Sequence, residues 1–156
     1  MAKGKIVLAS GTFDILHPGH IKYLEAAKRA GGENAKLVVI VTRDSVAERR
    51  KGRKPVMPED QRRFLVEALK VVDEAFLGYE EPGKIGNVRK VIKKIKPDVI
   101  AVGHDQDDVE REVRRVVAEM GLNVKIVKIE FFGEDELNSS SKIKRINVEY
   151  YQRRHS

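Results

Sequence analysis

The chain has no cysteine among its 156 residues. Disulfides, thiolate metal sites and a cysteine nucleophile are therefore excluded. No apolar run approaches the roughly 20 residues that a membrane-spanning helix needs, so no membrane partner is expected. The N-terminal segment lacks the apolar stretch of a secretory signal, which makes the cytoplasm the expected compartment. Aromatic residues amount to only 6%. None interrupts the main basic run, which speaks against stacking on single-stranded nucleic acid. No HExxH pattern occurs and no third histidine lies near His17 and His20, so a protein-held catalytic metal is not expected.

What is abundant is charge, at 35% of residues with a formal net charge of +7. Such a balance attracts anions, whether nucleic acid, acidic lipid or phosphorylated small molecules. The richness in Lys, Arg and Glu is compatible with a thermophile. A length of 156 residues with 41% hydrophobic content suits a single domain, 1–156, around one core.

Apolar runs rich in Val and Ile predict strands over 5–10, 36–42, 74–78, 98–102 and 123–129. Several are continuously apolar, as expected of a parallel sheet covered on both faces. Helices are predicted over 18–30, 58–70, 87–95 and 108–120, and from about Ser139 onward. Their limits are set by Pro18, by Gly31-Gly32, by "PED" at 58–60, by Pro97 and by Gly121. Strict alternation of strand and helix implies an α/β fold: a doubly wound, mostly parallel five-stranded sheet with helices on both faces. Ligands of such sheets bind beyond the carboxyl ends of the strands, where the strand order reverses.

Three stretches converge on that edge. "GTFDILHPGH", 11–20, turns from a strand into a helix. Pro18 suits a first helical turn, Gly19 permits close approach of a ligand, and the helix N-terminus attracts an anion. His17 and His20, one turn apart, can face that anion from the same side. The plainer reading makes His17 a helix cap and His20 an ordinary histidine. "VGHDQ", 102–106, leaves the fourth strand with short polar residues able to reach a ribose or a base edge. "NSSSKI", 138–143, reads as a helix cap and first turn whose hydroxyls also suit phosphate. Elsewhere, "RRKGRKP" at 49–55 is either a solvated charge run or a phosphate grip. In "PEDQRR" at 58–63, Arg62 is a candidate phosphate contact or a partner of helix-surface acids.

The segment "GTFDILHPGHIKYLEAAK" resembles the signature of the nucleotidyltransferase superfamily that includes the cytidylyltransferases, with its glycine, Thr-Phe-Asp and HxGH. The resemblance implies a Rossmann-like fold in which His17 and His20 stabilise the α-phosphate of a nucleoside triphosphate under attack. It implies a mobile basic loop in which Lys51, Arg53 and Lys54 grip phosphates, Lys51 with a catalytic share. It places Thr12, Phe13, Pro18, Gly19, Gly103, Asp105, Gln106, Ser139, Ser140 and Ser141 around the nucleotide.

Over the whole chain the resemblance is greatest to the archaeal FAD synthases, through "GRKP", "PEDQRR", "VEALKVVDEAFLG", "KPDVIAVGHDQ" and "SSSKI". This implies AMP transfer from ATP to FMN, with a divalent cation, Mg²⁺, carried by the nucleotide. Glycerol-3-phosphate cytidylyltransferase, pantetheine-phosphate adenylyltransferase and a non-catalytic nucleotide or RNA binder are the alternatives. "FFGEDELN", 131–138, departs from the cytidylyltransferase pattern, and acceptor contacts are expected within 131–137. Asp14 is left with three roles: orienting a histidine, meeting the cation, or capping the turn. A homodimer is allowed by the sequence but not required.

Overall fold

The computed structural model describes residues 4–80, 87–130 and 140–155. Five strands form one sheet in the order β3-β2-β1-β4-β5, and every neighbouring pair is parallel. They are β1 (Ile6–Gly11), β2 (Lys36–Val41), β3 (Glu74–Leu77), β4 (Val99–Val102) and β5 (Lys125–Lys128). Six helices connect and follow them: α1 (Pro18–Ala30), α2 (Asp44–Lys51), α3 (Glu59–Glu67), α4 (Val88–Ile95), α5 (Asp107–Met120) and α6 (Ser140–His155).

The unbroken apolar strands are explained by burial on both sides. Val7, Ala9, Leu37, Val39, Val41, Val99 and Ala101 turn to one face, where they pack with Leu24 and Ala27 of α1 and Val66 of α3. Leu8, Ile40, Ile100 and Val102 turn to the other, against Ile92 of α4 and Val109, Val113, Val116 and Val117 of α5. The period of two along each strand assigns neighbours to opposite layers.

Because β1 lies between β2 and β4, the chain winds outward through β2 and β3 and then back through β4 and β5. The reversal sits at the carboxyl ends of β1 and β4, which open a crevice there. Tyr23 of α1 reaches it from below, its hydroxyl donating to the Ala101 carbonyl at 3.0 Å with the Ser10 carbonyl at 3.4 Å. One side chain thus joins α1 to both strands of the switch point.

Two expectations need correcting. The basic stretch is not wholly a loop, since Arg49, Arg50 and Lys51 form the last turn of α2, capped by Gly52 at φ 78° in the left-handed region. Pro58 precedes α3 as its N-cap rather than occupying the first turn, and the helix stops at Glu67.

Candidate active site

The site begins with the turn after β1. Phe13 holds a left-handed φ of 52° and folds its ring back over Gly11, where a Cβ would lie 2.9 Å from the ring carbons. Any side chain at position 11 would push that ring out of place. The folded-back ring meets His20 edge-on, with centroids 5.2 Å apart. His20 in turn stacks on His17 at 3.7 Å and 26°. His17 is the N-cap of α1 by position, yet its side chain makes no capping hydrogen bond. The plain capping role is therefore not the one it plays.

Both rings line a cleft of about 280 Å³. Among the described residues, the buried side-chain polar atoms without a hydrogen-bond partner are Thr12 Oγ1, His17 Nδ1 and His20 Nδ1. Orphans of this kind cost on the order of 1–3 kcal/mol each. Thr12, His17 and His20 all line the cleft.

Burial pushes the His20 imidazole down to about 3, helped by the neighbouring His17 and the Lys51 ammonium and opposed by Asp14. Burial lowers His17 in the same direction. The folded site therefore refuses a proton that the unfolded chain accepts below its usual value near 6.5. Stability consequently falls as pH drops through the window from 6.5 toward 3. Thermal unfolding should show a midpoint that declines between about pH 6.5 and about pH 4.5, with a flatter slope in His20→Gln. An unaltered slope in that variant would remove His20 as the source.

Asp14 lies beneath the histidines, 5% exposed. It accepts hydrogen bonds from Val56 N–H at 2.9 Å and Met57 N–H at 2.8 Å, and from the Lys144 ammonium of α6. Burial alone would raise its carboxyl, but the bonds from Lys144, Met57 and Val56 outweigh that and hold it below the usual range.

The basic side of the cleft carries Arg50, Lys51, Arg53, Lys54 and Lys144. Burial, then the neighbouring Arg50, lowers the Lys51 ammonium. Arg50 is clamped by Asp108 through two bonds of 2.8 and 2.9 Å, tying the end of α2 to the start of α5. Opposite, Gly103, His104, Asp105 and Gln106 form the wall after β4, and Thr12, Phe13 and Gly19 complete the floor.

Arg62 is not a phosphate contact. Its side chain is fully buried, and it donates to the carbonyls of Met57, Thr12 and Thr42 and to Asp44. Gln106 lines the cleft, but both ends of its amide are committed: Oε1 accepts from Gly103 N–H and Nε2 donates to the Ser10 carbonyl. It fixes the two strand ends rather than offering a free ligand group. Pro18 is exposed and does not line the cleft. Ser139 and the segment 131–137 lie outside the described residues, as do the side chains of Ser140 and Ser141.

Sequence reasoning missed Lys144, Tyr23 and Arg50. Tyr23 follows His20 on α1 and Lys144 follows the serine run by one turn, so position along each helix was the available signal. A second, apolar cavity of about 80 Å³ adjoins the cleft and shares Ser10, Arg50 and Gln106 with it. Val46, Val88, Val91, Val109 and Val113 are among its walls.

A family model described as Cytidylyltransferase-like matches residues 8–146. Proteins named FAD synthase from Methanothermus fervidus and Methanopyrus kandleri are similar to the chain. The first is 49% identical over 136 residues, covering 87% of this chain and 90% of the relative. The second is 43% identical over 150 residues, covering 96% of each. Among solved structures, a lipopolysaccharide core biosynthesis protein from Thermoplasma volcanium superposes with a TM-score of 0.72 at 42% identity, covering 83% of this chain and 98% of that one. Pantothenate synthetase from Thermus thermophilus superposes at 0.61 with 20% identity, covering 90% of this chain and 61% of that one, and so shares the fold.

Proposed function

The chain belongs to the cytidylyltransferase-like family, and we propose that within it the protein is an FAD synthase, transferring AMP from ATP to FMN. The observation that carries the chemical reading is the stacked histidine pair at the N-terminus of α1, facing a cleft rimmed by arginines and lysines. An FMN phosphate oxygen attacks the α-phosphorus in line, a new P–O bond forms, the bond to the β-phosphate bridging oxygen breaks, and pyrophosphate leaves. The protein supplies no nucleophile. Its contribution is position and positive charge.

His17 and His20, kept neutral by burial, donate N–H groups to the non-bridging α-phosphate oxygens as charge builds there, and the α1 dipole adds to them. Lys51, Arg53 and Lys54 take the β- and γ-phosphates. Asp105 and the Gly103 backbone receive the nucleoside. Mg²⁺ would arrive on the triphosphate. The described residues contain no group of three or more His, Asp or Glu suited to a metal, and the Asp14 and Asp108 carboxylates are already committed. No described helix is long and apolar enough to cross a membrane.

The test offers ATP or CTP with FMN, glycerol 3-phosphate or phosphopantetheine, and follows pyrophosphate. ATP with FMN should dominate. Preference for CTP and glycerol 3-phosphate would overturn the assignment.

A further inference from the structure

Asp14 belongs to no substrate-facing role in the scheme above, yet three parts of the cleft meet on it. It stands three residues before His17. Its Oδ1 and Oδ2 hold the backbone of Met57 and Val56, which directly follow the basic segment carrying Lys51, Arg53 and Lys54. Its Oδ2 also pairs with Lys144, near the start of the C-terminal helix. The carboxyl is almost fully buried, whereas Lys144 remains partly open to the cleft. A buried carboxylate with three charge-assisted donors is a strong and geometrically exacting anchor. These donors come from α6 and from the segment linking α2 to α3, two elements that share no strand.

We propose that Asp14 is a positioning residue that sets nucleotide affinity, by docking the basic segment and Lys144 of α6 on the same side of the histidine pair. The proposal rests on the nucleotidyltransferase reading of the cleft. It adds that Lys144, brought in by Asp14, supplies a phosphate-facing charge alongside Lys51.

The sign of one substitution separates this from simple electrostatics. Asp14 is a negative charge beside a site for a polyanion, so Coulomb's law alone predicts that Asp14→Asn tightens ATP binding. Positioning predicts the reverse. The amide offers one acceptor where three donors converge, and it turns a donor toward Lys144.

Equilibrium dialysis of ATP with the full chain, without FMN, reads the effect directly. Asp14→Asn should weaken binding about tenfold, as the loss of one buried charge-assisted contact implies. In turnover, the KM for ATP should rise by a similar factor, with kcat altered less than about threefold. Trypsin should cut after Lys51 and Arg53 faster in this variant than in the wild type. Lys144→Gln, at a partly exposed position that tolerates change, should weaken ATP binding as well. The double variant should be no worse than the weaker-binding single, because the two residues act as one unit. Tighter ATP binding in Asp14→Asn, losses that multiply in the double variant, or a fall in kcat at constant KM would each overturn the proposal. A wild-type protein that binds ATP but makes no FAD would instead sink the proposed reaction, leaving the dialysis result interpretable.

Discussion

Alanine at His17 or His20 lowers turnover with ATP and FMN by about a hundredfold or more, while the thermal transition at neutral pH stays near that of the wild type. The size follows from what each ring offers: one preorganised donor aimed at developing phosphate charge is worth on the order of 3 kcal/mol. The preserved fold follows from the local structure. His17 makes no capping bond to α1, and the Nδ1 atoms of both rings have no partner to lose. Removing a ring therefore deletes no stabilising hydrogen bond from either Nδ1. Because the rings stack at 3.7 Å, each orients the other, and the double alanine variant should fall little below the worse single. Steady-state kinetics beside a melting curve would decide. Near-normal turnover in either single variant would remove the pair from the chemistry.

The histidine turn was legible because everything it needs is local. Gly11, Phe13, Pro18 and the two histidines lie within ten residues, and each has a conformational or chemical reason to be there. The five strands were legible for a related reason: burial on both faces leaves no polar alternation, so apolar runs stand out from charged helices. α2 was not predicted from the sequence. Its sequence, DSVAERRK, buries only Val46 and Ala47, too few for a helical stripe to show. Its register comes instead from ties to other elements, through Arg43 to the Gly78 carbonyl and Glu59 and through Arg50 to Asp108. The Asp14–Lys144 pair spans 130 residues, and nothing in either neighbourhood announces the other.

Arg62 is where the two kinds of information diverge most, and its replacement should carry the largest cost in stability. Seen in sequence, Arg62 and Arg63 are adjacent arginines near the start of one helix. In the fold, Arg63 forms a half-exposed pair with Glu67, while Arg62 turns inward with no exposed surface. Its guanidinium meets the Thr12 carbonyl at 2.7 Å, the Thr42 carbonyl at 2.8 Å, the Met57 carbonyl at 2.9 Å and Asp44 at 2.6 Å. Three of those acceptors are backbone atoms that no residue pattern encodes. They belong to the turns after β1 and β2 and to the lead into α3, so one side chain ties the histidine turn to the basic segment. Arg62→Ala strands three carbonyls and leaves a void, and breaking buried networks of this kind costs about 3–5 kcal/mol. Against a total of about 5–15 kcal/mol, that is a large share of the stability. Arg62→Lys should recover little, since one ammonium has no planar fork to serve four acceptors. Denaturant unfolding gives the comparison: a shift of that size in Arg62→Ala, beside a shift under about 1 kcal/mol in Arg63→Ala, is expected for a surface pair. The rival reading, Arg62 as a phosphate ligand, makes the opposite demand, namely unchanged unfolding with an ATP KM that rises.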